Sequence, residues 1–75
     1  MNASNLKKGQ KAIIIGYKSN EIEPKLMQFG FVVGEEVSFC YKAPLGCPLA
    51  LEVGTTIVSL RKEEAANLLI ELIEN

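Results

Sequence analysis

Apolar and polar positions follow one another in short segments, a pattern typical of a mainly β protein. Residues Lys11–Tyr17 (KAIIIGY) include three consecutive isoleucines, and β-branched side chains favour a pleated strand over a helix. A run without alternation predicts a strand that is covered on both faces for part of its length. Residues Glu36–Lys42 alternate cleanly, with Val37, Phe39 and Tyr41 expected on the buried face.

A short helix is predicted over residues 21–29. Ser19 and Asn20 supply candidate N-cap oxygens before it. Pro24 falls in the first turn, where its missing N–H costs little, and Gly30 fits the position that ends helices. The helix has one apolar stripe that we expect to face the core: Ile22, Leu26 and Phe29.

Two further strands are predicted beyond a turn marked by Pro44, Gly46 and Pro48. The first is Leu49–Val53, which alternates apolar and polar residues, and the second covers residues 57–60 after a tight turn at Gly54-Thr55. Short strands at this spacing favour a small barrel, because closure hides strand edges.

The C-terminal segment, residues 62–75, has two interpretations. Its apolar positions match one face of a helix running from residue 62 to the end. The alternative is a helical turn over residues 63–67 followed by a closing strand over 68–73. The residues alone do not separate these interpretations, although barrel closure favours the strand.

Length and charge narrow the class of protein. The chain has 75 residues, which allows one small domain over 1–75, and 48% of them are apolar. Its net charge of −1 argues against a basic groove for nucleic acid. No secretory signal or membrane-spanning run is visible, so we expect a cytoplasmic protein without membrane insertion, whose two cysteines are reduced.

Catalytic and metal chemistry have few candidate residues. The sequence contains no histidine, which removes the commonest acid–base group and transition-metal ligand. Cys40 and Cys47 are the soft ligands that remain, and a structural zinc site needs four ligands. Cys40 is interpreted as a small strand residue and Cys47 as a weak metal candidate on a turn. The residues therefore predict a binding protein with no enzymatic activity and no cofactor.

Partner contacts are expected where apolar side chains fall outside the predicted core. Met27 lies off the helical stripe, and Leu45 lies at a turn tip beside Gly46, Cys47 and Pro48. These five residues are the candidates for a partner-binding surface.

Four motifs occur together in order along nearly the whole chain: LxxGxxAxI in residues 6–14, LxxFGFxxGxxV in 26–37, APLGCP followed by LxLxVG in 43–54, and LRxxEA in 60–65. Their order and spacing resemble those of the FeoA family of small accessory proteins of bacterial ferrous-iron uptake. This sequence departs from the family pattern at Cys47, where a second glycine is common, and at Phe29 and Phe31, where leucines are usual.

The resemblance implies an SH3-like barrel of about five strands, with one short inserted helix and a helical turn before the last strand. It also implies a non-enzymatic accessory or regulatory role beside the membrane ferrous-iron permease, a FeoB-type GTPase, whose cytosolic part would be the partner. A stand-alone metal-sensing or peptide-binding SH3-like module is the alternative. Exposed barrel edges would also permit a homo-oligomer.

Overall fold

The computed structural model describes residues 1–73 and contains five strands, two short α-helices and a 3-10 turn. In chain order these are the 3-10 turn Ala3–Asn5, β1 Lys11–Tyr17, α1 Glu23–Gln28, β2 Glu36–Lys42, β3 Leu49–Val53, β4 Thr56–Leu60, α2 Lys62–Ala65 and β5 Leu68–Leu72. The strands form one antiparallel sheet in the order β4-β3-β2-β1-β5. β2 therefore lies at the centre of the sheet.

The strand predictions are confirmed with small changes of boundary. β1, β2 and β3 have the predicted limits, and β4 begins one residue before the predicted strand. Residues Leu68–Leu72 form a strand, so the alternative of one helix from residue 62 to the end is wrong over the described residues. Glu74 and Asn75, which end the predicted 1–75 domain, lie outside the described residues.

The helix prediction is correct in place but wrong in its details. α1 begins at Glu23, its N-cap position is Ile22, and no side chain caps it. Ser19 instead accepts a hydrogen bond from the Glu21 N–H at 3.3 Å, which shapes the preceding turn. Pro24 lies in the first turn, as predicted.

Phe31 is buried in the core, whereas Phe29, which was predicted to face the core, is partly exposed. Leu26 and Phe31 are fully buried, whereas Phe29 is 38% exposed. Gly30 between them has φ +101°, a conformation open to glycine, and it redirects the chain so that the Phe31 N–H donates to the Leu26 carbonyl at 3.0 Å. Because the helix ends before the turn, the helical stripe does not extend to Phe29.

Two bulges change which side chains face the core. In β2, Phe39 pairs with Leu51 but Tyr41 pairs with Ala50, so Cys40 is an extra residue. Tyr41 is consequently exposed, contrary to the alternation predicted for this strand.

The second bulge lies in β1. Ile14 pairs with Ile70 and Gly16 with Leu69, so Ile15 is the extra residue and is exposed, while Ile14 is fully buried. The strand was predicted to be covered on both faces for part of its length, and Ile15 lies outside the covered part. Gly16 lies at this bulge.

The two edges of the sheet differ. The outer edge of β5 is covered, because Asn2 forms a bridge with Leu69 and the Ile70 N–H donates to the Met1 carbonyl at 2.9 Å. Within residues 1–73, β4 pairs with β3 alone. The predicted closing strand thus exists, but it pairs with β1 and leaves β4 as an open edge.

One tyrosine links the turn after α1 to the sheet. The Tyr17 hydroxyl, at the end of β1, donates a 2.6 Å hydrogen bond to the Phe31 carbonyl oxygen. Burial, followed by the nearby charge of Glu23, raises the pKa of this tyrosine. Its neutral form is therefore the form that the fold stabilises.

The helix α2 is linked to α1 by charge. The Glu64 carboxylate accepts the Arg61 backbone N–H at 2.8 Å, which caps α2, and it lies 2.5 Å from the Lys25 ammonium. The hydrogen bond from Lys25, together with the backbone N–H of Arg61, lowers the pKa of Glu64. Glu64 therefore holds the start of α2 against α1.

Candidate interaction surface

The loop between β2 and β3 forms a defined tip. The Gly46 N–H donates to the Ala43 carbonyl at 2.7 Å, and the Ala43 N–H donates to the Pro48 carbonyl at 3.1 Å. Gly46 has φ +88°, and the Cys47–Pro48 peptide bond is cis. The two hydrogen bonds fix the backbone of residues 43–48, which we call the hairpin tip.

The hairpin tip presents side chains that the core does not use. Leu45 is 97% exposed, which is nearly the full surface of a side chain whose burial contributes about 1.5–3 kcal/mol. Cys47 is an exposed free thiol, and so is Cys40 in β2. The tip therefore combines a fixed backbone with an apolar side chain that is almost entirely exposed.

Met27 does not lie with the hairpin tip. It is 45% exposed on α1, and the chain after α1 approaches the far end of β3, because a Cβ at Gly30 would lie 3.6 Å from the Val53 Cγ1. The tip precedes Leu49 at the other end of that five-residue strand, about 13 Å away. The structure therefore divides the five predicted contact residues between two places.

Sequence reasoning missed the apolar residues beside Met27. Phe29, Val32 and Val33 are all exposed. Val32 lies in a tight turn, since its N–H donates to the Gly30 carbonyl at 2.9 Å. A turn cannot bury all of its side chains at once. Gly30 and Gly34, which flank this segment, were the sequence signal that a turn exposes these residues.

Two cavities of opposite charge were also invisible in the sequence. One, of about 150 Å³, is lined by Glu35, Glu36, Ser38, Glu52 and Gly54. The other, of about 470 Å³, lies between the N-terminal segment and the end of β2, and its lining residues are Met1, Ser4, Asn5, Leu6, Lys7, Gln10 and Lys42. Both combine residues from distant segments, so only the folded chain brings them together.

The described residues offer no composite metal centre. Within residues 1–73, no three cysteine, aspartate, glutamate or histidine side chains lie close enough to hold a metal ion together. The lowered pKa of Glu64 arises from Lys25 and the capping N–H, and the raised pKa of Tyr17 arises from burial. Both shifts thus have structural causes in contacts that stabilise the fold.

A membrane-crossing helix is also lacking in the part of the chain that the structure describes: none of its helices has the length and apolar character required.

Comparison with solved structures defines the class of protein. The chain superposes with a TM-score of 0.90 on iron(II) transport protein A of Clostridium thermocellum, at 38% identity over 97% of this chain and 46% of that one. It superposes with a TM-score of 0.82 on the zinc complex of Stenotrophomonas maltophilia FeoA, described as a prokaryotic SH3 domain protein, at 33% identity over 95% of this chain and 89% of that one. The fold is therefore SH3-like.

Sequence comparison then gives the family. The FeoA domain model matches residues 1–72. Fe(2+) transport protein A of Campylobacter jejuni is 31% identical over 97% of this chain and 100% of its own length. A Porphyromonas gingivalis protein that fuses Fe(2+) transport protein A to the transporter FeoB is 32% identical over 100% of this chain and 9% of its own. The chain belongs to the FeoA family, whose members are non-catalytic accessories of ferrous-iron transport.

Proposed function

We propose that this protein acts in the cytoplasm as an accessory of Fe²⁺ uptake and binds the cytosolic part of a FeoB-type permease through its hairpin tip. The exposure of Leu45 on a hydrogen-bonded tip carries the proposal. A fixed backbone lowers the conformational cost of binding, and an apolar side chain in a partner pocket is a common anchor of interfaces.

The fusion relative supports FeoB as the partner. That protein contains the transport protein A region and the FeoB transporter in one chain. Covalent linkage of two modules gives them a high effective concentration for each other. Where the two modules lie on separate chains, the contact depends on their affinity alone, so substitution of a tip residue changes a measurable binding constant.

The test is a calorimetric titration of the protein against the purified cytosolic domain of the permease, with and without guanine nucleotide. Leu45→Ser should weaken binding about tenfold, because it removes roughly 1.5 kcal/mol or more of apolar burial. Ile57→Ser is the matched control, since Ile57 is also an exposed aliphatic residue but lies on β4. If the unmodified protein does not bind both with and without nucleotide, the permease is not the partner. If Leu45→Ser binds as tightly as the unmodified protein, the hairpin tip is not the contact.

The metal-sensing alternative has less support. The zinc complex was described for the Stenotrophomonas maltophilia relative, and it does not assign a metal site to this chain. Among residues 1–73, Cys47 lies in no cluster of three candidate ligands. Anaerobic titration with Fe²⁺ before and after Cys47→Ala distinguishes the two ideas, because a sensor that uses this thiol must lose affinity.

A further inference from the structure

The larger cavity has an unusual lining for a protein with a net charge of −1. Lys7 and Lys42 contribute ammonium groups, and none of the described residues that line it is acidic. Lys7 comes from the segment after the 3-10 turn and Lys42 from the last position of β2. Folding therefore brings two positive charges from distant parts of the chain to the lining of one cavity, whose volume is about 470 Å³.

The neutral side chains of the cavity also present donors. The Gln10 Oε1 accepts the Lys7 backbone N–H at 2.8 Å, and the Asn5 Oδ1 accepts the Asn2 backbone N–H at 3.4 Å. Each amide oxygen is thus engaged by the backbone, and within residues 1–73 no acceptor takes either NH₂ group. The two lysines and these two amides among the lining residues can donate hydrogen bonds, which carboxylate oxygens accept.

From this arrangement we infer that the cavity between the 3-10 turn and the end of β2 binds the carboxylates of an acidic peptide segment of the partner. The inference rests on the proposed function, because it assigns a chemistry to the segment that meets the protein there. Lys42 joins the two surfaces: a Cβ at Gly46 would lie 3.8 Å from the Lys42 Cε. A single extended segment can therefore place an apolar group at Leu45 and its acids in the cavity.

The charge of the smaller cavity is opposite to that of the larger cavity. The smaller cavity is lined by Glu35, Glu36 and Glu52 and by no basic residue among those described. Like charges facing each other across an interface are costly. An acidic segment is therefore attracted to the larger cavity and repelled from the smaller one.

The direct test uses a blocked peptide of six glutamates and two leucines as the probe. The ¹⁵N-labelled protein is titrated with this peptide, with its glutamine analogue and with inorganic phosphate, while amide shifts are followed by NMR. We expect saturable shifts at Lys7, Gln10 and Lys42 with the glutamate peptide only, weakened at ~0.15 M salt, where charges are screened beyond about 8 Å. Equal affinity for phosphate would assign the site to small anions and overturn the peptide inference, and so would equal affinity for the glutamine peptide.

Charge reversal locates the contact. Lys42→Glu should weaken binding of the glutamate peptide at least about tenfold, since it turns attraction into repulsion at the centre of the contact. Lys18→Glu is the control, because Lys18 is exposed, does not line the cavity and changes the net charge equally. Equal loss in both variants would show a general charge effect and refute the site. Lys42→Gln, which adds no repulsion, is measured if Lys42→Glu does not fold.

The same variants separate this inference from the proposed function. If the permease domain binds Lys42→Glu as tightly as the unmodified protein, the cavity inference fails while the permease remains the partner. If the permease domain does not bind the unmodified protein but the glutamate peptide still occupies the cavity, the permease proposal fails while the cavity keeps its ligand chemistry.

Discussion

The hydrogen bond from Tyr17 to Phe31 offers a sharp test of how this fold is held together. Tyr17→Phe removes one hydroxyl and leaves the ring in place. The residue that loses its partner, Phe31, has no solvent-accessible surface, so the 2.6 Å bond to its carbonyl oxygen is shielded from bulk water in the folded protein. The change therefore leaves a buried acceptor without a donor.

The expected loss of stability is about 2 kcal/mol. A buried polar group that loses its only partner costs roughly 1–3 kcal/mol, more than the net value of an ordinary hydrogen bond. A chain of this size has a total unfolding free energy of roughly 4–11 kcal/mol. The loss should lower the melting temperature by about 8–16 °C, since 1 kcal/mol shifts a domain of this size by about 4–8 °C.

The assay is urea unfolding followed by far-UV circular dichroism at neutral pH. Tyr41→Phe is the matched control, because Tyr41 is exposed and no hydrogen bond of its hydroxyl is recorded among residues 1–73. It should change the unfolding free energy by less than about 0.5 kcal/mol. If the two variants lose the same stability, the hydroxyl of Tyr17 is not the link between β1 and the turn after α1.

The raised pKa of Tyr17 adds a pH arm to the same experiment. Because burial raises the pKa of the folded form above the ordinary value of 10.0, the neutral tyrosine contributes stability that is fully present below pH 10. That contribution is lost as the pH rises through the folded pKa. The unmodified protein should therefore lose stability at alkaline pH more steeply than Tyr17→Phe.

Two more substitutions test the core and the link between the helices. Phe31→Ala should cost about 3–5 kcal/mol in urea unfolding, whereas Phe29→Ala, at a partly exposed position, should cost far less; similar losses would contradict the assignment of Phe31 to the core. Glu64→Gln should cost about 1 kcal/mol at pH 7 through the cap and the Lys25 contact. Because the folded pKa of Glu64 is lowered from 4.5, the difference should vanish as the pH falls through that lowered value, and a difference that persists in acid would exclude this cause.

The strands were predictable because their signal is local. β1, β2 and β3 have β-branched or alternating residues between glycines and prolines, and those features mark boundaries without reference to any partner. The C-terminal segment was not predictable from the residues alone. Leu68 and Ile70 are buried with the period of a strand, yet Leu69 and Leu72 complete an equally good helical face. Pairing with β1 decides the outcome, and the family resemblance, not periodicity, indicated it.

Most features that sequence reasoning missed depend on distant parts of the chain, and one depends on a local turn. The bulges at Ile15 and Cys40 arise from register with β5 and β3, and no local pattern encodes that register. The burial of Phe31 in place of Phe29 depends on the turn at Gly30. The larger cavity needs both Lys7 and Lys42, residues separated by all of β1 and α1 and most of β2. Sequence reasoning found the hairpin tip because all of its residues are consecutive.

The open edge of β4 has a geometry that is complementary to itself. The turn at Gly54 closes the hairpin with the pair Val53 and Thr56, so alternation directs the backbone groups of Ile57 and Ser59 away from β3. If two copies meet antiparallel with Val58 on a two-fold axis, Ile57 faces Ser59 of the other copy, and all four outward groups of each strand find partners. The strand TIVSL has no charge or proline to oppose this pairing. A homo-oligomer of this protein stays a prediction. If it forms through β4, the turn at Gly54 determines which residues of the two β4 strands pair, because the turn decides which backbone groups point outward.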